Sequence, residues 1–220
     1  MILSQYYYSL EFDFKDCTLR GKTILDFGCG SGIFSLYTAL IAESEKVYSL
    51  DEFEGHGSDP KHYEKFQRLL KTYKLTDRIE LIKANGIKYD FKDLKFDVIY
   101  FSNVLHHLFP RGSNIDESLI KNFFEKIKRL LKPKGTVVAQ EVMRYNIIDF
   151  LPSRFNYTGI NWKTKLNASE WLSFFRRAGF KQNFVNYFVP YHFRFTPLKR
   201  IMSNAICSFF LLSRYTLVCR

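Results

Sequence analysis

The feature that most constrains the fold is a glycine-rich turn that follows a short apolar run near the N-terminus. Residues 23–27 read Thr-Ile-Leu-Asp-Phe, and residues 28–32 read Gly-Cys-Gly-Ser-Gly. This order predicts a buried strand that breaks into a tight loop and leads into a helix, because glycine permits a positive φ. Free N–H groups and partial positive charge at the start of that helix favour a polar ligand. The pattern therefore predicts a small-ligand site at the carboxyl end of a parallel strand; a turn that binds nothing is the alternative.

The spacing of the glycines distinguishes between classes of ligand. A dinucleotide site requires Gly-x-Gly-x-x-Gly, but Ile33 stands where the last glycine would be. An acid two residues before the first glycine favours a ligand with a cationic or donor-rich end over a pyrophosphate. The segment resembles motif I of the class I S-adenosylmethionine (SAM) methyltransferases, D/E-x-G-x-G-x-G. The resemblance implies that the following residues hold the methionine side of SAM: Asp26, Gly28, Cys29, Gly30 and Gly32.

The rest of the chain predicts a doubly wound, Rossmann-like α/β fold, because strand and helix patterns alternate. The predicted strands are residues 23–27, 46–50, 79–83, 96–101, 135–141, 180–189 and 215–220. The predicted helices are residues 33–42, 60–73, 118–131 and 168–178. Since no comparable crossover helix separates the last two strands, we expect a hairpin there. The result is a seven-stranded sheet, mostly parallel with an antiparallel last strand and helices on both faces. The resemblance to SAM methyltransferases covers roughly residues 20–220, within one domain of 220 residues.

Further cofactor residues are expected where the next strands end. Asp51 follows the second strand, where an acid would accept both hydroxyls of a ribose, and Glu52 is the alternative if the assignment slips by one position. Asn85 and Gly86 follow the third strand and resemble the family segment that contacts adenine, although the family often has Asp where Asn85 stands. An ordinary Asn-Gly turn is the other interpretation.

The segment after the fourth strand would face the transferred methyl group. The resemblance implies that Ser102 or Asn103 contacts the methionine part of SAM. His106 and His107 are candidates for a catalytic base, with His106 the first choice, because an imidazole titrates near neutral pH. A structural role for one of them is equally compatible with the pattern. Methyl transfer needs little acid–base help, since proximity and orientation supply much of the rate.

Net charge leaves the class of partner open. The formal net charge is +11, which is compatible with nucleic acid, an anionic membrane or an anionic substrate, or simply with a lysine-rich surface. The four cysteines form no C-x-x-C pair, so no metal or redox motif is indicated. No signal-peptide pattern is present, which predicts a cytoplasmic setting.

The acceptor is predicted by exclusion to be a small molecule. After the fourth strand there is no N/D-P-P-Y/F motif of the nucleic-acid amine methyltransferases, and no cysteine lies between Cys29 and Cys207 to act on a pyrimidine. Three segments are expected to cap the acceptor: a lid in residues 1–20 with Tyr6–Tyr8, and insertions 143–166 and 191–213.

The last of these segments contains an apolar stretch that is too short to span a bilayer, Ile201–Leu212. We expect it to be a buried helix over the sheet edge, with peripheral contact to an anionic membrane as the alternative. Three functions remain open for the chain: a methyltransferase for a small, aromatic or amphipathic acceptor, one for RNA or protein, or a SAM-binding regulatory protein without transfer activity.

Overall fold

The computed structural model describes residues 10, 14–15, 17–54, 59–110, 117–147, 161–181, 183–188, 198, 201–211 and 214–220. Its strands are β1 (Thr23–Phe27), β2 (Lys46–Asp51), β3 (Ile79–Lys83), β4 (Phe96–Ser102), β5 (Leu131–Val142), β6 (Asn183–Tyr187) and β7 (Arg214–Cys219). Its helices are α1 (Ile33–Leu40), α2 (Pro60–Thr72), α3 (Leu105–Leu108), α4 (Glu117–Arg129), α5 (Ala168–Arg177) and α6 (Ala205–Leu211), and a 3-10 turn covers Trp162–Thr164.

The seven strands form one sheet in the order β3-β2-β1-β4-β5-β7-β6. Strands β1 to β5 pair in parallel, and β7 runs antiparallel to both β5 and β6. The predicted seven-stranded sheet with an antiparallel last strand is therefore confirmed. Its strand order reverses between β1 and β4, and ligands of open α/β sheets bind at the carboxyl ends of the strands at such a point.

Both faces of the sheet are buried, as expected for parallel strands with continuous apolar sequences. On one face Phe27 and Phe101 pack with Phe123 and Phe124 of α4, and Trp171 of α5 belongs to the same cluster. On the other face two smaller clusters include Ile24, Phe34 and Tyr100, and Val47, Phe53 and Phe66. Phe53 is thus a core residue. The core fixes the strand ends rigidly, which positions the side chains that follow them.

Most predicted element boundaries agree with the structure to within a few residues. Helix α2 begins as its sequence predicts: Asp59 Oδ1 accepts a hydrogen bond from the Lys61 N–H at 2.8 Å, and Pro60 occupies the first turn. Strand β5 differs, because it begins at Leu131 instead of Gly135. Its register passes from Phe96↔Leu131 to Val98↔Thr136, so β5 contains a bulge between Leu131 and Thr136. The sequence predicts a turn at this place, before the strand begins.

The prediction that residues 201–212 form a buried helix is wrong for the described part of that segment. Ile201, Ile206 and Phe210 are exposed, whereas Ser208 is buried. Helix α6 thus turns the small polar side chain of Ser208 inward and the apolar side chains of Ile206 and Phe210 outward. Within the described ranges, no helix is both long enough and apolar enough to traverse a bilayer.

Candidate active site

The three glycines of the loop after β1 have different surroundings: two are closely packed, and the middle one borders an open space. Gly28, Gly30 and Gly32 have φ of +75°, +49° and +76°. A Cβ on Gly28 would collide with Val104, and one on Gly32 would collide with the Phe66 ring, so both glycines are required by close packing. A Cβ on Gly30 would meet no atom within 4 Å. The middle glycine therefore leaves its space to a ligand.

The end of β2 holds this loop in place. Asp51 Oδ2 accepts a hydrogen bond from the Gly30 N–H at 2.8 Å, and its Oδ1 accepts one from the Phe53 N–H at 2.7 Å. The Leu50 carbonyl accepts the N–H groups of Gly28 and Cys29 at 2.7 and 3.1 Å. Each carboxylate oxygen has more than one acceptor site, so Asp51 can bind the loop and still accept further bonds. Its role toward a ribose stays a prediction.

Asp26 is a carboxyl group buried beneath the loop. It is 1% exposed, and its Oδ2 accepts a hydrogen bond from Ser35 Oγ at 2.6 Å. Ser35 Oγ also lies 2.7 Å from Ser49 Oγ. Burial raises the pKa of Asp26 to about 7; the charge of Asp51 adds to this, whereas the hydrogen bonds from Ser35 oppose it. A cationic ligand beside Asp26 would favour its charged form.

A cavity of about 380 Å³ opens beside the loop at the carboxyl ends of the strands. Apolar and polar groups both contribute to its wall. The lining residues are Leu10, Asp26, Gly28, Cys29, Gly30, Ser31, Ile33, Phe34, His62, Tyr100, Ser102, Asn103, His107, Gln140 and Arg214. Seven of the predicted site residues are thus brought together at one cavity: Asp26, Gly28, Cys29, Gly30, Ser102, Asn103 and His107.

The polar wall opposite the glycine loop is organised around Gln140 of β5. Its side-chain oxygen accepts hydrogen bonds from Ser102 Oγ at 3.1 Å and Tyr100 Oη at 3.3 Å. Its backbone carbonyl accepts the Asn103 N–H at 2.8 Å, which holds Asn103 at φ of +53°. The Oδ1 atom of Asn103 is buried and has no partner in the described structure. An unpaired acceptor on the wall favours a ligand that brings a donor.

The two histidines have different positions. His107 lines the cavity, whereas His106 is 6% exposed with its Nδ1 2.5 Å from Oε2 of the buried Glu141. The other oxygen of Glu141 accepts the Leu105 N–H at 2.9 Å. The two side chains differ because successive residues of the single-turn helix α3 point in directions about 100° apart. The role of either histidine as a base stays a prediction.

The predicted adenine and second ribose residues are absent from the described lining of this cavity. Asn85 Nδ2 donates to both Glu52 oxygens at 3.3 Å, and Asn85 Oδ1 accepts the Lys88 N–H at 3.2 Å. Gly86 has a packing role: a Cβ there would collide with the Phe27 ring. Gly32 and Asp51 are likewise absent from the lining, although Asp51 is hydrogen-bonded to the lining residue Gly30. The adenosine contacts of Glu52, Asn85 and Gly86 remain predictions.

Several residues of the site are not predicted from the sequence. Tyr100, Gln140 and Arg214 line the cavity, and Glu141 holds His106. The available signal is the pair Gln140-Glu141, since two polar residues inside an otherwise apolar strand are costly unless they are paired or functional. Arg214 carries no local signal, because only the antiparallel pairing of β7 with β5 brings it to this edge.

The three predicted capping segments are only partly described. In the N-terminal lid, Leu10 lines the cavity and the Phe14 ring stacks on Phe34 with centroids 5.1 Å apart, but Tyr6–Tyr8 lie outside the described residues. Residues 148–160, 189–197, 199–200 and 212–213 also lie outside them. The capping role of residues 1–20, 143–166 and 191–213 therefore stays a prediction.

The residues at the cavity fit SAM. The buried carboxyl of Asp26 and the unpaired oxygen of Asn103 both suit a ligand with a cationic, donor-bearing end, which the aminocarboxypropyl and sulfonium groups of SAM provide. Burial and the nearby charges of Asp26 and Asp51 raise the pKa of the Cys29 thiol well above its usual value, which favours the neutral thiol over the thiolate.

Comparison with known proteins agrees with this geometry. Residues 10–187 match the model of a methyltransferase domain family. Sterol 24-C-methyltransferase of Saccharomyces cerevisiae is 27% identical over 122 residues, which are 56% of this chain and 28% of the yeast enzyme. Two solved structures share the fold. One is a SAM-dependent methyltransferase from Aquifex aeolicus, with a TM-score of 0.62 and 16% identity over 98% of this chain and 88% of the other. The second is phosphoethanolamine N-methyltransferase 2 of Haemonchus contortus in complex with SAM, with a TM-score of 0.69 and 14% identity over 98% of this chain and 52% of the other.

The glycine loop, the acid after β2 and the strand order of the sheet thus agree with a family match that covers most of the chain. This protein belongs to the methyltransferase domain family, and its fold is that of the solved SAM-dependent methyltransferases.

Proposed function

We propose that this protein transfers the methyl group of SAM to a small, aromatic or amphipathic acceptor. The observation that carries the proposal is the cavity of about 380 Å³, in which the glycine loop faces both polar and apolar side chains. Sites for small molecules are concave and of this size, and their polar groups fix the orientation of the ligand. A small acceptor can bind in such a cavity without the extended basic surface that a nucleic-acid acceptor would need.

Two similar proteins support a small acceptor through their names. One is a sterol methyltransferase and the other a phosphoethanolamine methyltransferase. The apolar residues Leu10, Ile33, Phe34 and Tyr100 would contact the body of an aromatic or amphipathic molecule. The lid and the two insertions 143–166 and 191–213 would then close over it.

The residues of the chain divide the work of transfer between them. Bound SAM supplies an already activated methyl group. Asp26, the glycine loop and Asn103 would hold its methionine side, while Asp51, with Glu52 and Asn85, would hold its adenosine side. The wall formed by Ser102, Asn103 and Gln140 orients the acceptor and excludes water, and proximity of this kind supplies much of the rate.

His107 would receive a proton when the acceptor carries a hydroxyl or an amine. Its imidazole lies on the cavity wall, whereas His106 is engaged with Glu141. Arg214 places a positive charge on the same wall. A positive charge near the reacting group favours the deprotonated form of an acidic acceptor, such as a phenol or a carboxylic acid.

Incubation of the purified protein with radiolabelled SAM and a cell extract tests the proposal. The extract is then separated into small molecules, RNA and protein, and the label in each fraction is counted. We expect label in the small-molecule fraction, with none above background for a Gly30→Ala control. Label in RNA would favour the alternative suggested by the net charge of +11, and label in protein would favour a protein methyltransferase. SAM binding without label in any fraction would indicate a regulatory SAM-binding protein.

The cellular setting is part of the same proposal. All four cysteines are free thiols, and two of them, Cys29 and Cys219, are buried. Free cysteines are typical of a reducing compartment. We therefore place the protein in the cytoplasm, where SAM would be available to it.

A further inference from the structure

The apolar and polar residues of α6 are arranged in the opposite way to those of an ordinary surface helix. Ile206 and Phe210 are 73% and 57% exposed, while Ser208 between them is fully buried. Positions four apart lie on the same helical face, so Ile206 and Phe210 form one apolar surface. A helix on the surface of a water-soluble domain turns such a face toward the core.

The apolar surface extends into the residues that precede the helix. Ile201 is 74% exposed and Leu198 is 38% exposed. Asn204 fixes the start of α6, because its Oδ1 accepts the Cys207 N–H at 2.9 Å and its carbonyl accepts the Ser208 N–H at 3.0 Å. We call the exposed side chains of Leu198, Ile201, Ile206 and Phe210 the apolar surface of α6. Its orientation is set by a hydrogen-bonded turn.

The positive charge of the chain is concentrated in the part of the sequence that contains this surface. The last fifty residues, 171–220, contain eight Lys and Arg residues and no Asp or Glu, which leaves only +3 of the net +11 for the first 170. Lys199 and Arg200 directly precede Ile201 in the sequence. Basic residues next to an exposed apolar helix are the composition of segments that lie in the interface of an anionic membrane.

We propose that the apolar surface of α6 docks on an anionic lipid membrane. A helix of seven residues is about 10 Å long, which is too short to cross a bilayer and suits the interfacial region. A second copy of the chain is the disfavoured occupant, because the basic residues beside this surface, such as Lys199 and Arg200 in the sequence, would meet the same basic residues of the other copy. An anionic lipid membrane offers negative charge to the basic residues of this segment and an apolar phase to its exposed apolar side chains.

The position of α6 connects docking with the cavity. The helix ends at Leu211, and Arg214, the first residue of β7, lines the cavity. Docking would therefore bring the cavity close to the membrane surface, from which an amphipathic acceptor could enter. This last step rests on the proposed function, whereas the docking itself does not.

Vesicle sedimentation of the full chain tests the docking. We expect the wild type to bind vesicles of phosphatidylcholine mixed with phosphatidylglycerol, to bind phosphatidylcholine alone much more weakly, and to lose binding in high salt. The double variant Ile206→Ser with Phe210→Ser should lose at least about tenfold in affinity for the mixed vesicles. The matched control is Ile41→Ser with Leu119→Ser, which changes two exposed apolar residues elsewhere in the fold and should bind like the wild type.

Two further measurements distinguish membrane docking from misfolding of the variant and from loss of cofactor binding. Thermal unfolding and SAM titration should be unchanged in both double variants, so a failure of methyl transfer would not affect the result. Equal vesicle binding by the α6 variant and the wild type would overturn the proposal. So would a wild-type dimer that the α6 variant dissociates, without any binding to lipid.

Discussion

The two ends of the cavity are built in different ways. At the glycine loop, adjacent residues of one turn are held by the ends of β1 and β2 through short hydrogen bonds, such as that from the Gly30 N–H to Asp51. At the opposite wall, single side chains arrive from separate strands: Ser102 from β4, Gln140 from β5 and Arg214 from β7. The first end is a hydrogen-bonded backbone loop, which suits a ligand that is always the same, the cofactor. The second is assembled from side chains of separate strands, of which Ser102 and Gln140 are hydrogen-bonded to each other.

The largest expected effect on stability lies at the acceptor end. His106→Ala should lower the free energy of unfolding by about 3 kcal/mol or more, because it leaves the buried Glu141 carboxylate without the imidazole 2.5 Å away. Chemical denaturation followed by circular dichroism measures this. A loss below about 1 kcal/mol would show that the pair is unimportant for folding.

His107→Ala is the matched change on the cavity wall. Because His107 is exposed, we expect unfolding to be unaltered, while kcat on the acceptor falls about 100-fold if the imidazole takes up the proton. Steady-state kinetics over a range of pH measure it. A wild-type pH profile in the variant would exclude His107 as the base.

Within the cofactor end, the glycines should separate into two kinds. Gly32→Ala should cost about 3 kcal/mol, because its Cβ would collide with the fully buried Phe66 ring in addition to the left-handed backbone cost. Gly30→Ala meets no neighbour and should cost only about 1 kcal/mol. Denaturant midpoints of the two variants make the comparison. Equal losses would contradict the packing described for Gly32.

Asp26 should make the stability of the ligand-free protein depend on pH. Its pKa is raised to about 7 in the folded state, so between about pH 4 and 7 the folded state binds more protons than the unfolded state, and stability falls as pH rises. Asp26→Asn removes this pH dependence. From pH 5 to pH 7 the free energy of unfolding of the variant should therefore rise by about 2 kcal/mol relative to that of the wild type. Thermal unfolding in matched buffers measures the difference. A constant difference across this range would show that Asp26 has an ordinary pKa.

The same contrast explains what could be predicted from the sequence. Asp26, the glycines and the cap at Asp59 belong to contiguous patterns whose physics is local, and the alternation of strand and helix patterns predicts the doubly wound sheet. Arg214 could not be found in this way, because it reaches the cavity only through the pairing of distant strands. Which of His106 and His107 faces the cavity depends on how α3 is rotated about its own axis, and the sequence does not fix that rotation. The outward face of α6 contradicts the general expectation that an apolar segment is buried.

Calorimetric titration of SAM tests the central claim, which is that the glycine loop and Asp51 form the cofactor site. The wild type should bind one SAM per chain. Asp51→Asn should weaken binding at least about tenfold, since it loses charge-assisted hydrogen bonds to the ligand and to the Gly30 N–H. Gly30→Ala, which fills the open space of the loop, should abolish measurable binding while the protein stays folded. Wild-type affinity in both folded variants would contradict the account.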